Sequence, residues 1–354
     1  MNKIVVVGAG KTGRGFIGRL LSEDNAEIMF IDKDKALVDE LNAKKEFTVR
    51  FFGGVREDFK VTNFSAYTWE DADLGDSDLI LVSVGGQNLK DVGASLSPLL
   101  KDDKHYTIIT CENSSKPSVV LGEAIGNKDI SVSESTVFCT TTDDGLNIDS
   151  ENYPYLQCNA DLLGGYEMKI KGIRPIDNFG NFLTRKLYTY NAASCVIAYL
   201  GYIKGYSDYA KAANDPEILE LLDKNYEVTN KVLCKEFGYE EADQAEFAAL
   251  SKEKFCSKVI VDTVARNARD PERKLAKGER IMGPMVMIYE NGIMPEVLIK
   301  TAAAALLYDN EKDVTWREMK AAKSKGEILT ELCGLEAGSE LYEAILAECA
   351  KIEK

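Results

Sequence analysis

Three polar side chains fall within one short stretch, RKLYTYNAASCVIAYLG: Lys186, Asn191 and Ser194. A lysine amine can take or give a proton near neutral pH when burial and neighbouring charge lower its pKa. A carboxamide can hold the oxygen whose proton moves and stabilise its developing negative charge. On a helix turning about 100° per residue, Asn191 falls about 140° round from Lys186, with Ser194 between them. All three are therefore expected to face one crevice. Asn113, in ITCEN at the end of an apolar run, is expected to approach from another part of the chain. The plain alternatives are that Arg185 and Lys186 form solvated helix surface and that Asn113 caps the helix after it.

A second set of residues opens the chain. In MNKIVVVGAGKTGRGF the β-branched run at 4–7 stops at Gly8-Ala9-Gly10, and Gly13 precedes the helical apolar positions Phe16, Ile17, Leu20 and Leu21. Strand, glycine turn and helix start form the order that a dinucleotide pyrophosphate needs. Gly8 permits the tight turn, Gly10 lacks the Cβ that would block the phosphates, and Gly13 lets the helix pack on the strand. Lys11, Thr12, Arg14 and Gly15 complete the loop and the helix start, whose N–H groups and dipole favour an anion. Asp32 ends the second apolar run and can accept both ribose hydroxyls of NAD while repelling the 2′-phosphate of NADP. Lys33 beside it would tolerate that phosphate. Val84 and Gly85, at a third strand end, are expected to line the same cofactor crevice.

Between 266 and 280 lie six basic residues, Arg266, Arg269, Arg273, Lys274, Lys277 and Arg280, against the acids Asp270, Glu272 and Glu279. Arg273, Lys274 and Arg280 are candidates to hold a substrate phosphate. The alternative is a solvated helix face. Elsewhere the balance is acidic: 354 residues carry a net charge of −15. Nucleic acid and anionic membranes are therefore not expected partners. No run is long enough for a membrane span, and the first residues do not read as a signal peptide, so a cytoplasmic location is expected. Eight cysteines without a CxxC pair read as reduced thiols. The single histidine, His105, is expected to exclude a histidine zinc site and any Ser-His-Asp arrangement.

The first half alternates strand and helix patterns. Strands read at 3–7, 27–31, 79–84, 106–111 and 136–141, a hairpin at 47–52 and 55–61, and helices at 14–22, 35–43, 89–100 and 116–125. An irregular connector, 145–178, follows. The remainder reads as helices at about 182–200, 216–237, 241–258, 279–289, 295–307, 316–331 and 339–352. The expected fold is α/β: a Rossmann-type doubly wound parallel sheet in a dinucleotide-binding domain, 1–177, followed by a mostly α-helical substrate domain, 178–354.

GAGKTGRGFIG, ITCENSS, the RKLYTYNAAS helix with AYLG after it, and RKLAKGERIMGP occur in that order and resemble the polyol-specific long-chain dehydrogenases, in particular their short branch. The resemblance implies metal-independent, NAD-dependent interconversion of a sugar-alcohol phosphate and a ketose phosphate, by a monomer or small homo-oligomer. In that family the lysine of a K-x4-N-x2-H helix motif is the acid/base, here Lys186. The motif's asparagine and that of a C-[DE]-N turn polarise the substrate oxygen, here Asn191 and Asn113. This chain departs from the pattern at Ser194, where the family has histidine, and at Lys11, where the cofactor loop usually has asparagine. The departure at Ser194 leaves two alternatives: a reductase of an unphosphorylated polyol or hexuronate, or a non-catalytic NAD-binding sensor.

Overall fold

Alternation of side chains along four consecutive apolar residues decides how the first half is layered. In β1, Ile4–Val7, all four residues are buried. Ile4 and Val6 join one apolar cluster and Val5 and Val7 another, on opposite faces of the sheet. The structure, a computed structural model, describes residues 3–259 and 261–354. Within it the chain divides into two units, 1–180 and 181–354.

In the first unit the strands are β1, β2 (Ile28–Ile31), β3 (Phe47–Phe51), β4 (Phe59–Val61), β5 (Phe64–Tyr67), β6 (Leu79–Val82), β7 (Tyr106–Thr110), β8 (Ile130–Thr136), β9 (Thr141–Asp144), β10 (Asn147–Ser150), β11 (Leu156–Asn159) and β12 (Ile173–Ile176). The main sheet has the order β12-β11-β8-β7-β6-β1-β2-β5. From β8 to β5 every pairing is parallel, and β11 runs antiparallel to β8. Strand order reverses at β1, which brings the ends of β1, β2 and β6 together as a crevice. This is the Rossmann-type sheet expected.

Three corrections concern strands. The strand expected at 136–141 is instead β8, and 137–140 is a loop. β8 reads ISVSEST, too polar for a buried strand by hydropathy. Its hydroxyls are satisfied by neighbouring backbone: Ser133 Oγ donates to Asn159 O at 2.7 Å and Ser135 Oγ to Thr110 O at 2.9 Å. The connector expected at 145–178 holds β10, β11 and β12. The hairpin at 47–61 forms with a longer turn, Phe47 pairing with Val61. It does not stand alone, because β3 also pairs with β10 to make a second sheet, β4-β3-β10-β9. That sheet packs on the first helix: a Cβ on Gly15 would lie 2.2 Å from Ile148 Cγ2.

The second unit is helical. Ala192–Ile203 and Glu296–Leu307 are buried nearly all round, and their alanines let neighbouring helices approach. Pro216–Phe237 runs as expected between an Asp215 cap and Gly238 in the left-handed region. The helix expected at 316–331 is two, Val314–Ala322 and Lys325–Glu331. A capping box between Ser324 and Glu327 starts the second, a sequence signal that the hydrophobic period masked. Tyr209–Ala213, Val264–Ala268 and Pro271–Lys274 are short helices not anticipated.

Ile148 is fully buried against Gly15. Ile148→Ala is expected to cost about 2–5 kcal/mol, read as a lower urea midpoint at unchanged slope. An unchanged midpoint would mean that the second sheet does not support the first helix.

Candidate active site

The glycine loop is shaped by close approach. Gly8 has φ +95°, and a Cβ there would lie 2.0 Å from Ser83 O. A Cβ on Gly13 would lie 1.9 Å from Gly8 O. Around a Cβ on Gly10, by contrast, nothing lies within 4 Å among the described residues. The loop is thus closed underneath and open above Gly10, the cradle that a pyrophosphate would fill. Ala9 N–H donates to Asp32 Oδ2 at 2.7 Å and Asp34 N–H to Asp32 Oδ1 at 2.9 Å. Both bonds fix the carboxylate at the tip of β2 and leave it further lone pairs. Lys11 is exposed beside Gly10, and Thr12 Oγ1 lies 3.5 Å from Thr141 Oγ1.

Other residues assigned to the cofactor have structural partners as well. Arg14 is buried, and its guanidinium donates to Asp143 Oδ1 at 3.4 Å and Gly145 O at 3.3 Å, in the β9–β10 hairpin. The N–H groups of Val84 and Gly85 donate to Glu112 Oε1 at 2.6 and 2.7 Å. Burial raises the Glu112 carboxyl above its ordinary range against the pull of those two bonds. Sequence reasoning passed over Glu112, although it stands next to Asn113 in ITCEN. Asn113 does not cap a helix. Its Nδ2 donates to Val137 O at 2.9 Å and its Oδ1 accepts from Val137 N at 3.0 Å, which pins the end of β7 to the loop after β8. The exposed amide keeps a second N–H.

In the second unit the candidate helix changes form at the decisive place. Phe179–Lys186 is α-helical, Leu187–Asn191 is π-helical, and Ala192–Ile203 is α-helical again. Ala192 N–H reaches back five residues to Leu187 O. A ladder that closes over five residues brings positions five apart nearly into line. Lys186 and Asn191 therefore come closer to one face than the 140° expected of a regular α-helix. Arg185 is not solvated. Its Nε donates to Gln244 Oε1 at 2.6 Å, and its guanidinium lies over the Tyr239 and Phe247 rings. Gln244 Nε2 also donates to Thr189 Oγ1 at 3.2 Å. One buried glutamine thus holds the chain on both sides of Lys186. Its distance in sequence left no signal for it.

Burial, then the charges of Arg280 and Lys254, bring the Lys186 ammonium down to about 8. Asn191 carries a buried amide oxygen with no hydrogen-bond partner among the described residues. Ser194 accepts from Tyr209 OH at 3.2 Å and donates to Asn267 Oδ1 at 3.5 Å. The RKLAKGERIMGP segment packs beside this helix, since a Cβ on Gly283 would lie 2.5 Å from Tyr188 OH.

The basic stretch separates into two groups. Arg266 and Arg273 are well exposed and paired, with Asp262 at 2.9 Å and Asp270 at 3.2 Å. Lys274 is 4% exposed and donates to Asn267 O. Burial, with Arg280 and Arg273 nearby, lowers it to about 8 against the opposing Cys195 and Asp270. Arg280 is mostly buried and donates to Glu279 Oε2 at 3.2 Å.

His105, expected to exclude a Ser-His-Asp arrangement, forms one. Its Nδ1 lies 2.7 Å from Asp129 Oδ1 and its Nε2 3.1 Å from Ser131 Oγ. Gly164 covers the serine so closely that a Cβ would lie 1.9 Å from Oγ. The trio reads as a surface clamp.

A family model described as the mannitol dehydrogenase Rossmann domain matches residues 2–145, and one described as the mannitol dehydrogenase C-terminal domain matches 178–346. The chain belongs to the mannitol dehydrogenase family. Mannitol-1-phosphate 5-dehydrogenase of Thermoanaerobacter pseudethanolicus is 30% identical over 388 residues, covering 100% of this chain and 99% of that one. A substrate-free D-sorbitol dehydrogenase structure shares the fold with a TM-score of 0.78 at 14% identity, covering 99% and 93% of the two chains. Pseudomonas fluorescens mannitol 2-dehydrogenase, solved with NAD and D-mannitol, does so with a TM-score of 0.66 at 13% identity, covering 100% and 92%. As a mannitol dehydrogenase family member the chain is an oxidoreductase, and its glycine loop lies in the matched Rossmann domain.

The glycines separate two effects. Gly13→Ala is expected to lower the melting temperature and abolish NADH binding, because the Cβ strikes backbone. Gly10→Ala is expected to leave the melting temperature unchanged, because its Cβ meets nothing, and still weaken NADH binding. Calorimetry and NADH fluorescence read the two. Equal effects of both substitutions would refute this account of the loop.

Proposed function

We propose that this oxidoreductase interconverts a sugar-alcohol phosphate, of the mannitol 1-phosphate type, and a ketose phosphate, of the fructose 6-phosphate type, with Lys186 as acid/base and no metal in the step. The cofactor is NAD. Gly8, Ala9, Gly10, Lys11, Thr12, Gly13 and Gly15 would hold its pyrophosphate, and Asp32 its ribose. When bound, NAD supplies the hydride acceptor. The observation that carries the reading is Lys186: a partly buried lysine lowered to about 8 by burial, Arg280 and Lys254, on the same helical run as an amide oxygen that lacks a partner among the described residues.

In the oxidising direction the neutral Lys186 amine takes the proton of the substrate hydroxyl as the carbon loses hydride and the C–O bond becomes a carbonyl. Asn191 steadies the developing alkoxide through Nδ2–H, and its Oδ1 is left to accept from another hydroxyl of the polyol. The family resemblance alone assigns Asn113 to the same oxygen. In the reducing direction the Lys186 ammonium returns the proton. Lys274, Arg280 and Arg273 are the proposed phosphate ligands; each already has a protein partner, Asn267 O, Glu279 and Asp270 in turn, that a phosphate would share or displace. The exposed, paired Arg266 and Arg273 support the second reading, an unphosphorylated polyol or hexuronate. Among the described residues no helix is long and apolar enough to cross a membrane. A cytoplasmic monomer or small homo-oligomer fits this reading.

Lys186→Ala is expected to lower kcat by about 10²–10⁴-fold, the usual share of a general acid/base. Oxidation needs the neutral amine, so its rate rises with pH through about 8. Reduction needs the ammonium, so its rate falls through the same value. Arg280→Gln removes a cation that lowers Lys186 and is expected to move both limbs to higher pH. Full activity in Lys186→Ala would overturn the mechanism.

Phosphate recognition is read by comparing fructose 6-phosphate with fructose and tagaturonate under NADH oxidation. Lys274→Ala or Arg273→Ala is expected to raise KM for the phosphate far more than for fructose. Equal losses on both substrates would favour the unphosphorylated reading.

A further inference from the structure

Ser194 stands where the family pattern carries histidine, and two residues remote in sequence hold it. Tyr209, at the start of Tyr209–Ala213, donates to Ser194 Oγ at 3.2 Å. Ser194 in turn donates to Asn267 Oδ1 at 3.5 Å. Asn267 is itself anchored: Nδ2 donates to Thr263 O at 3.1 Å, and its backbone carbonyl accepts from Lys274 Nζ. Tyr209 is buried, and that burial raises its phenol well above the ordinary range, so it remains a donor throughout the working pH.

A hydroxyl that accepts one hydrogen bond has its proton turned away from that donor. With the Tyr209 proton on one lone pair, the Ser194 proton must point elsewhere. Its present acceptor lies at the long limit of hydrogen bonding, so it competes weakly. A negatively charged oxygen is a far better acceptor. Donation from Tyr209 also polarises the serine O–H and strengthens it as a donor.

We propose that Tyr209 is a positioning residue that makes Ser194 a directed hydrogen-bond donor to the substrate oxygen, with Asn267 as the resting acceptor. The proposal rests on the Lys186 reading above. Neither Tyr209 nor Asn267 belongs to a motif that pointed to chemistry in the sequence, and the arrangement is specific to a chain with serine at 194.

A mutant cycle on the full-length protein tests it, following NADH oxidation with fructose 6-phosphate. Tyr209→Phe removes the donor and keeps the ring, which packs edge-on against Phe255 at 6.2 Å. It is expected to lower kcat about 3- to 10-fold, with KM for NADH unchanged. Ser194→Ala is expected to lower kcat about 10- to 100-fold, the range of one hydrogen bond to a charge-developing oxygen. In the Ser194→Ala background, Tyr209→Phe is expected to cost nothing further, because its effect passes through the serine hydroxyl. The pH limb near 8 stays in place in both variants. Two outcomes overturn the proposal: Tyr209→Phe slowing the Ser194→Ala enzyme by the factor it slows the parent, or leaving the parent unchanged. Lys186→Ala in the same assay separates the two levels. An active Lys186→Ala enzyme sinks the acid/base reading itself. An inactive one with an additive cycle sinks the role of Tyr209 alone. A parent with no turnover overturns both.

Discussion

An ammonium group taken out of water beside another cation gives up its proton more readily, and Lys186 is placed where both conditions act. Burial comes first, then Arg280 and Lys254. The condition holds only while the backbone around Lys186 is fixed. Arg185 and Thr189, on either side of it, share one buried partner, Gln244. The π-helical turn between Lys186 and Asn191 lies inside that brace. Burial and the neighbouring cations lower Lys186, and the Gln244 network fixes the backbone that carries it.

The first unit obeys a different constraint, the absence of side-chain volume. Gly8 and Gly13 are pressed against carbonyl oxygens, and Gly15 against Ile148 of the second sheet. The open side of the loop, above Gly10, exists because the other sides are closed. Arg14 adds to that closure through the β9–β10 hairpin, and Glu112 ties the end of β6 to the end of β7 by accepting from Val84 and Gly85. The loop is thus braced by elements that the glycine motif does not contain.

Around Ser194 the polar groups form a chain rather than isolated pairs. Tyr209, Ser194, Asn267 and Lys274 are linked donor to acceptor. Two of the residues proposed to meet substrate, Ser194 and Lys274, converge on Asn267. In low-dielectric surroundings such linked bonds reinforce one another, and loss of one member is felt along the line. The single proton of Ser194 is directed by those neighbours.

The amino-acid sequence by itself determined the Rossmann sheet, the glycine loop, Asp32 at the tip of β2 and most helices of the second unit. Their causes are local: alternation at period 2, helical period, and steric demands that only glycine meets. It also singled out Lys186 and Asn191, since both lie in one motif. Tertiary structure alone decided the rest. β8 can be polar because its hydroxyls are satisfied by backbone oxygens of the strands on either side of it in the sheet, β7 and β11. β10, β11 and β12 lack the unbroken apolar run of β1, and they form where the two sheets offer edges to pair with. Lys274 and Arg273 are adjacent in sequence, yet one is buried and the other paired with Asp270 in water. A helix places neighbouring side chains about 100° apart, and only the surrounding fold selects which direction is the interior.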